Sequence, residues 1–115
     1  MGKPEFEFHI PTEPWTSAGF KSDGITQQIL ARDPDSGDYT RRVRFVPGTD
    51  TTADGVLTHD FWEEVYVVEG DVTDLRLNQT FTAGMYSCRP PGMPHGPWRS
   101  QNGVLFVEFR YGIPR

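Results

Sequence analysis

Gly84-Met85-Tyr86-Ser87-Cys88-Arg89-Pro90-Pro91-Gly92-Met93-Pro94-His95 is the stretch that decides how this chain folds. Its first half can extend and its second half cannot. Pro90 and Pro91 withdraw backbone donors and fix φ, and Gly92 suits a tight turn. A strand over Met85 to Arg89 must therefore stop at Pro90, and His95 leaves a rigid turn with its direction set.

The same punctuation continues on both sides. Upstream, Glu63 to Glu69 is the strongest strand, rich in Val and Tyr. Gly70-Asp71 is expected to turn it. Thr73 to Leu77 and Thr80-Phe81-Thr82 follow as strands around Asn78-Gln79, and Ala83-Gly84 turns again. Downstream, Val104 to Tyr111 alternates. Leu105, Val107, Phe109 and Tyr111 fall on one face, and Val104, Phe106, Glu108 and Arg110 on the other. Nearer the N-terminus, Ile25 to Ala31 is β-prone and Asp33-Pro34-Asp35-Ser36-Gly37-Asp38 has the composition of a turn. Tyr39 to Val46 is a strand closed by Pro47-Gly48, and residues 49–56 form a polar loop. Twelve glycines and ten prolines leave few gaps for a long helix. Short strands with turns this frequent predict an all-β sandwich or barrel, and a closed barrel protects its edges.

At 115 residues the chain is one domain with enough length for one core. Residues 1–22, with Pro4, Pro11, Pro14 and the aromatics Phe6, Phe8, Trp15 and Phe20, read as an arm that packs on the body or covers a neighbouring subunit. Residues 23–115 form the barrel. The net charge of −5 argues against nucleic acid, which needs clustered Lys and Arg. Arg41, Arg42 and Arg44 read as a solvated strand edge. One cysteine gives no sign of an oxidising compartment. No apolar run approaches a membrane span, and no signal-peptide pattern opens the chain. The expectation is a soluble, cytoplasmic protein.

His59, Glu63 and His95 carry the chemistry. Two imidazoles and one carboxylate form the ligand set of a mononuclear metal site with open positions. A spacing of four would fit a helix face, but Val65-Tyr66-Val67-Val68 favours a strand. A strand starting near His59 puts residues 59, 61 and 63 on one side. The donor set suits one divalent ion: Fe(II), Mn(II), Ni(II) or Zn(II).

These two stretches resemble the two cupin motifs. In the first, His59, Glu63 and Gly70 match, while Leu57 stands where the family has a further histidine. In the second, Gly84, Pro90, Gly92 and His95 match, and Arg99 stands where an asparagine is usual. The branch it looks most like includes acetylacetone dioxygenase and the zinc-binding domain of ChrR-type anti-sigma factors. What the resemblance implies is a jelly-roll (cupin) β-barrel and a homodimer with the arm or first strand at its interface. It further implies a metal-dependent enzyme acting on a small carbonyl or enol substrate, with diketone-cleaving oxygenase chemistry first. Isomerase or lyase chemistry is the alternative, as is a sensory module without turnover.

Around the site, Leu57, Phe61, Met85, Trp98 and Phe106 are candidate pocket residues. Trp62 and Tyr66 fit a core or an interface. Either Met85 and Ser87 or Tyr86 and Cys88 face inward. Glu64 should point outward, and alternation argues against Asp60 as a ligand. Cys88 reads as a small buried core residue. Arg89, Arg99 and Arg110 could each anchor an anion or form a surface ion pair. His9 is expected on the surface. No phosphate-binding loop, GxGxxG, HExxH or GxSxG run is present.

Overall fold

The computed structural model describes residues 2–114. Met1 and Arg115, the outer bounds of the expected arm and barrel, lie outside the described residues. Among the described residues, nine strands follow in chain order. They are β1 (Thr16–Ser17), β2 (Ile25–Arg32), β3 (Tyr39–Phe45), β4 (Thr49–Asp50), β5 (Trp62–Asp74), β6 (Gln79–Thr82), β7 (Tyr86–Arg89), β8 (Trp98–Ser100) and β9 (Val104–Tyr111). Among the described residues there is no α-helix, only a 3₁₀ turn at Thr52–Asp54. Every strand pair is antiparallel.

The sheet curls because β5 serves two layers. Its first half pairs with β7 and β9, and β3, β2 and β1 extend the layer beyond β9. Its second half pairs with β6 and β8, and β4 lies beyond β8. The register shifts between Val67 and Glu69, and such an irregularity bends a strand. Next to it Gly70 has φ 88, and a Cβ there would sit 2.0 Å from the Gly103 carbonyl oxygen. Only glycine lets the backbones pass this close.

Gly70-Asp71, expected as a turn, is thus the bend inside one 13-residue strand. The expected strand at Thr73 to Leu77 ends at Asp74, whose carboxylate accepts the Arg76 and Leu77 N–H groups and starts the turn. The loop at 49–56 holds β4, and β8 carried no expectation because its pairing is long-range. Val104 to Tyr111 forms as read.

The register stacks inward-facing rows across the first layer. One runs Tyr39, Arg110, Glu63, Arg89, and the next Arg41, Glu108, Val65, Ser87. Below them come Val43, Phe106 and Val67, then Phe45 and Val104. Charge is gathered at one end and apolar side chains at the other. The apolar rows join Ile25, Val72 and Trp98 in the buried core.

Arg41 corrects the expectation of a solvated edge. Strand β3 is interior, and Arg41 is 3% exposed with its Nε 2.5 Å from Glu108 Oε2. In the arm, Phe6, Phe8 and Ile10 are exposed, Phe20 packs on the core, and Gln28 donates to the Pro11 and Glu13 carbonyls.

Candidate metal centre

Two short segments are laced together before any side chain is considered. Leu57 and His95 form an antiparallel bridge, each N–H donating to the other's carbonyl at 2.8 and 2.9 Å. One step on, Gly92 N–H donates to the His59 carbonyl at 2.8 Å. The turn that follows Pro90 therefore docks on the approach to β5. His59 and His95 are brought face to face, with ring centroids 4.8 Å apart.

Glu63 is the second residue of β5 and is 3% exposed. One donor atom each from His59, Glu63 and His95 lies within 4.8 Å of the others, a group that could hold a metal ion. The strand begins at Trp62, so His59 reaches the site from a bend and not from the strand expected there. Phe61 stands behind His59, stacked on it at 4.6 Å and 9°.

The donor atoms fit a cation. His59 Nε2 is buried without a hydrogen-bond partner, its 3.5 Å to Glu63 Oε2 being too long for a good one, and Glu63 Oε2 makes no well-aligned hydrogen bond although the Arg110 guanidinium lies beside it. A buried polar atom left unpaired is costly, and a cation bound between His59 Nε2 and the Glu63 carboxylate would satisfy it. His95 Nδ1 lies 3.3 Å from the Met93 carbonyl, which selects the tautomer with its proton on Nδ1 and a lone pair on Nε2.

Electrostatics prepare the same state. Burial pushes the Glu63 carboxyl upward, but the His59 contact and the nearby charge of Arg110 and His95 outweigh it and bring it down to about 2. Burial, reinforced by Arg89, pushes His95 down to about 4, against the pull of Glu63. Neutral imidazole and ionised carboxylate are the forms that ligate.

Both arginines flanking Glu63 are its register partners. Arg110 Nη2 is 2.9 Å from Oε2, and Arg89 Nη1 is 3.4 Å from Oε1. Sequence reading could not separate these from Arg99, which is exposed outside the barrel. Alternation along β9 put Arg110 on one face with Phe106 and Glu108, but no sequence signal set Glu63 opposite both arginines. Arg41 and Glu108, behind them, were not singled out for the site.

Beneath the three donors lies a cavity of about 140 Å³. That is room for on the order of ten waters, enough for a small organic molecule. Leu57, Met85, Ser87, Trp98 and Phe106 line it, with the arm residue Phe20. Met85 and Ser87 are the pair on the inner side, although Tyr86 also touches the rim. Cys88 is exposed, which corrects its reading as a core residue: its side shares the parity of Tyr86. Glu64 faces outward, where it accepts from the Tyr86 hydroxyl.

Comparison with known proteins agrees with this geometry. Residues 4–111 match the family model described as the ChrR cupin-like domain. No curated protein matches the chain. Among solved structures, an RmlC-like cupin from Shewanella frigidimarina is 22% identical with a TM-score of 0.71, covering 96% of this chain and 94% of that one. An acetylacetone dioxygenase from Acinetobacter johnsonii is 19% identical with a TM-score of 0.72, covering 95% and 76%. The Rhodobacter sphaeroides complex of SigE with the anti-sigma ChrR matches at 16% and 0.63, covering 90% and 51%. At these identities the likeness carries the fold.

Proposed function

The chain belongs to the ChrR cupin-like domain family, and from that premise we propose that it is a metal-dependent enzyme acting on a small carbonyl or enol compound. The observation that supports this is the convergence of His59, Glu63 and His95 ligand atoms within 4.8 Å, with His59 Nε2 buried and unpartnered, above a cavity. His59, Glu63 and His95 would hold one divalent ion, Fe(II), Mn(II), Ni(II) or Zn(II). When bound, such an ion supplies Lewis acidity toward a carbonyl or enolate oxygen, and a redox-active one also supplies dioxygen chemistry.

The remaining roles belong to the protein. Three protein ligands leave coordination positions open to substrate. Leu57, Trp98 and Phe106 give the substrate an apolar wall and keep bulk water out. Arg110 keeps Glu63 ionised and fixed. We favour oxidative cleavage of an enolisable carbonyl compound, the class to which the acetylacetone dioxygenase neighbour belongs. Isomerase or lyase chemistry uses the same Lewis acidity. A sensory role is the other reading, supported by the ChrR neighbour.

We also propose a homodimer working in the cytoplasm. Exposed Phe8 and Ile10 on the arm, and exposed Trp62, Tyr66 and Val68 on the outer face of β5, support an interface between copies. No helix among the described residues is long and apolar enough to cross a membrane.

Metal analysis of protein purified without chelator, followed by oxygen uptake with β-diketones, hydroxy-ketones and small oxo acids, tests the enzymatic reading. Bound metal with substrate-dependent uptake is expected. Iron-loaded protein that consumes no oxygen with any of them would shift the assignment to isomerase or sensor. Protein that binds no divalent ion would overturn the metal reading altogether.

A further inference from the structure

We propose that Arg89 is a carboxylate anchor, so that the substrate of this site is an anion: a small oxo acid with an apolar body, not a neutral diketone. The proposal rests on the metal-site reading for where the carbonyl binds, but the anchor itself belongs to the protein alone.

The charges at the polar end of the barrel pair off unevenly. Arg41 and Glu108 are 2.5 Å apart. Arg110 is committed on three sides. Its Nη1 donates to the Tyr39 hydroxyl at 2.8 Å, its Nη2 is 2.9 Å from Glu63, and its Nε is 3.5 Å from Glu108. Three guanidiniums thus face two carboxylates, Glu63 and Glu108, leaving one positive charge inside a chain of net charge −5.

The surplus sits on Arg89. Its one ionic contact is Nη1 to Glu63 Oε1 at 3.4 Å, long for a charge-assisted bond. Among the described residues its Nε and Nη2 have no hydrogen-bond partner. Its guanidinium lies 5.3 Å from the Trp98 ring centroid, which holds the plane in place without using its donors. The side chain is 12% exposed and lines the cavity. A planar fork with free donors, held by an aromatic face in a largely apolar pocket, is the geometry that recognises a carboxylate. A cation shared by His59, Glu63 and His95 would draw on the Glu63 oxygens and loosen Arg89 further. Arg99 is exposed, and Arg110 spends both Nη groups on Tyr39 and Glu63 and turns its Nε toward Glu108, so neither serves.

The test compares acetoacetate with its methyl ester, which keeps the carbonyl pair and loses the charge. Both are titrated calorimetrically into metal-free and Zn(II)-loaded protein. Acetoacetate should bind tighter than the ester in both forms, by roughly tenfold to a hundredfold, the range that hydrogen bonds to charged groups supply. Arg89→Gln should remove the preference, Arg89→Lys should keep part of it, and Arg99→Gln should keep all of it. Equal binding of acid and ester, or no binding of acetoacetate at millimolar concentration, would overturn the proposal. So would a preference that survives in a folded Arg89→Gln variant, since the metal would then be the carboxylate's partner. Because metal-free protein is measured too, a missing metal site and a missing anchor give different results.

Discussion

Leu57 marks the point where this chain departs from the motif it resembles, and the structure makes the consequence testable. Its backbone is bridged to His95 and its side chain lines the cavity. An imidazole at 57 would enter beside the other three donors. Leu57→His should tighten Zn(II) binding by about tenfold or more, and His95→Ala should weaken it by at least about a hundredfold. Competition with a chromogenic chelator measures both. Weaker binding in Leu57→His would mean that position 57 does not reach the ion.

Protonation at the same residues sets a pH profile for the metal-free protein. His95 falls from 6.5 to about 4 on folding, so its neutral form is the one the fold accepts. Its contribution is fully present above pH 6.5 and is lost as the pH falls toward 4. Glu63 falls from 4.5 to about 2, so its contribution is present above 4.5 and is lost on the way to pH 2. Each is worth on the order of 3 kcal/mol. Thermal melts should therefore fall through two successive acid windows, and His95→Gln should lack the upper one. A melting temperature constant from pH 7 to 4.5 would contradict the depressed His95.

At the scale of elements, β5 matters most because it is shared by both layers. Its ability to bend rests on Gly70, matched in sequence as a motif glycine and expected there to make a turn. A side chain at φ 88, facing a carbonyl oxygen 2.0 Å away, would push β5 off the Gly103 turn. Gly70→Ala should destabilise the fold by about 3 kcal/mol or more, read as a shift in the urea midpoint. A loss under about 1 kcal/mol would mean the two segments separate at little cost. The expected turn and the observed bend have one cause, positive φ, and local sequence does not say whether the partner strand reverses or continues.

At the scale of the whole molecule, the unresolved balance is apolar surface. The outer face of β5, with Tyr86 and Phe109 from its two neighbours, is exposed together with Phe8 and Ile10. Light scattering should give twice the mass of one chain. Val68→Glu and the double variant Phe8→Glu/Ile10→Glu should each shift the protein toward the monomer. A wild-type monomer at high micromolar concentration would leave these surfaces without the proposed partner.

The sequence by itself determined the all-β class and most strand positions and pointed to the trio His59, Glu63 and His95, because alternation, turn residues and motif spacing are local properties. Val104 to Tyr111, read by parity alone, forms the strand expected, with Val104, Phe106, Glu108 and Arg110 sharing one face. Only the tertiary structure decided what those residues meet. Antiparallel register set Glu63 opposite both Arg89 and Arg110, buried Arg41 against Glu108, and turned Cys88 outward. Register is a long-range choice among segments, and a one-residue slip would exchange the faces of a strand. Electrostatic partners in a β-barrel are therefore written in the pairing of strands, which no single stretch of sequence contains.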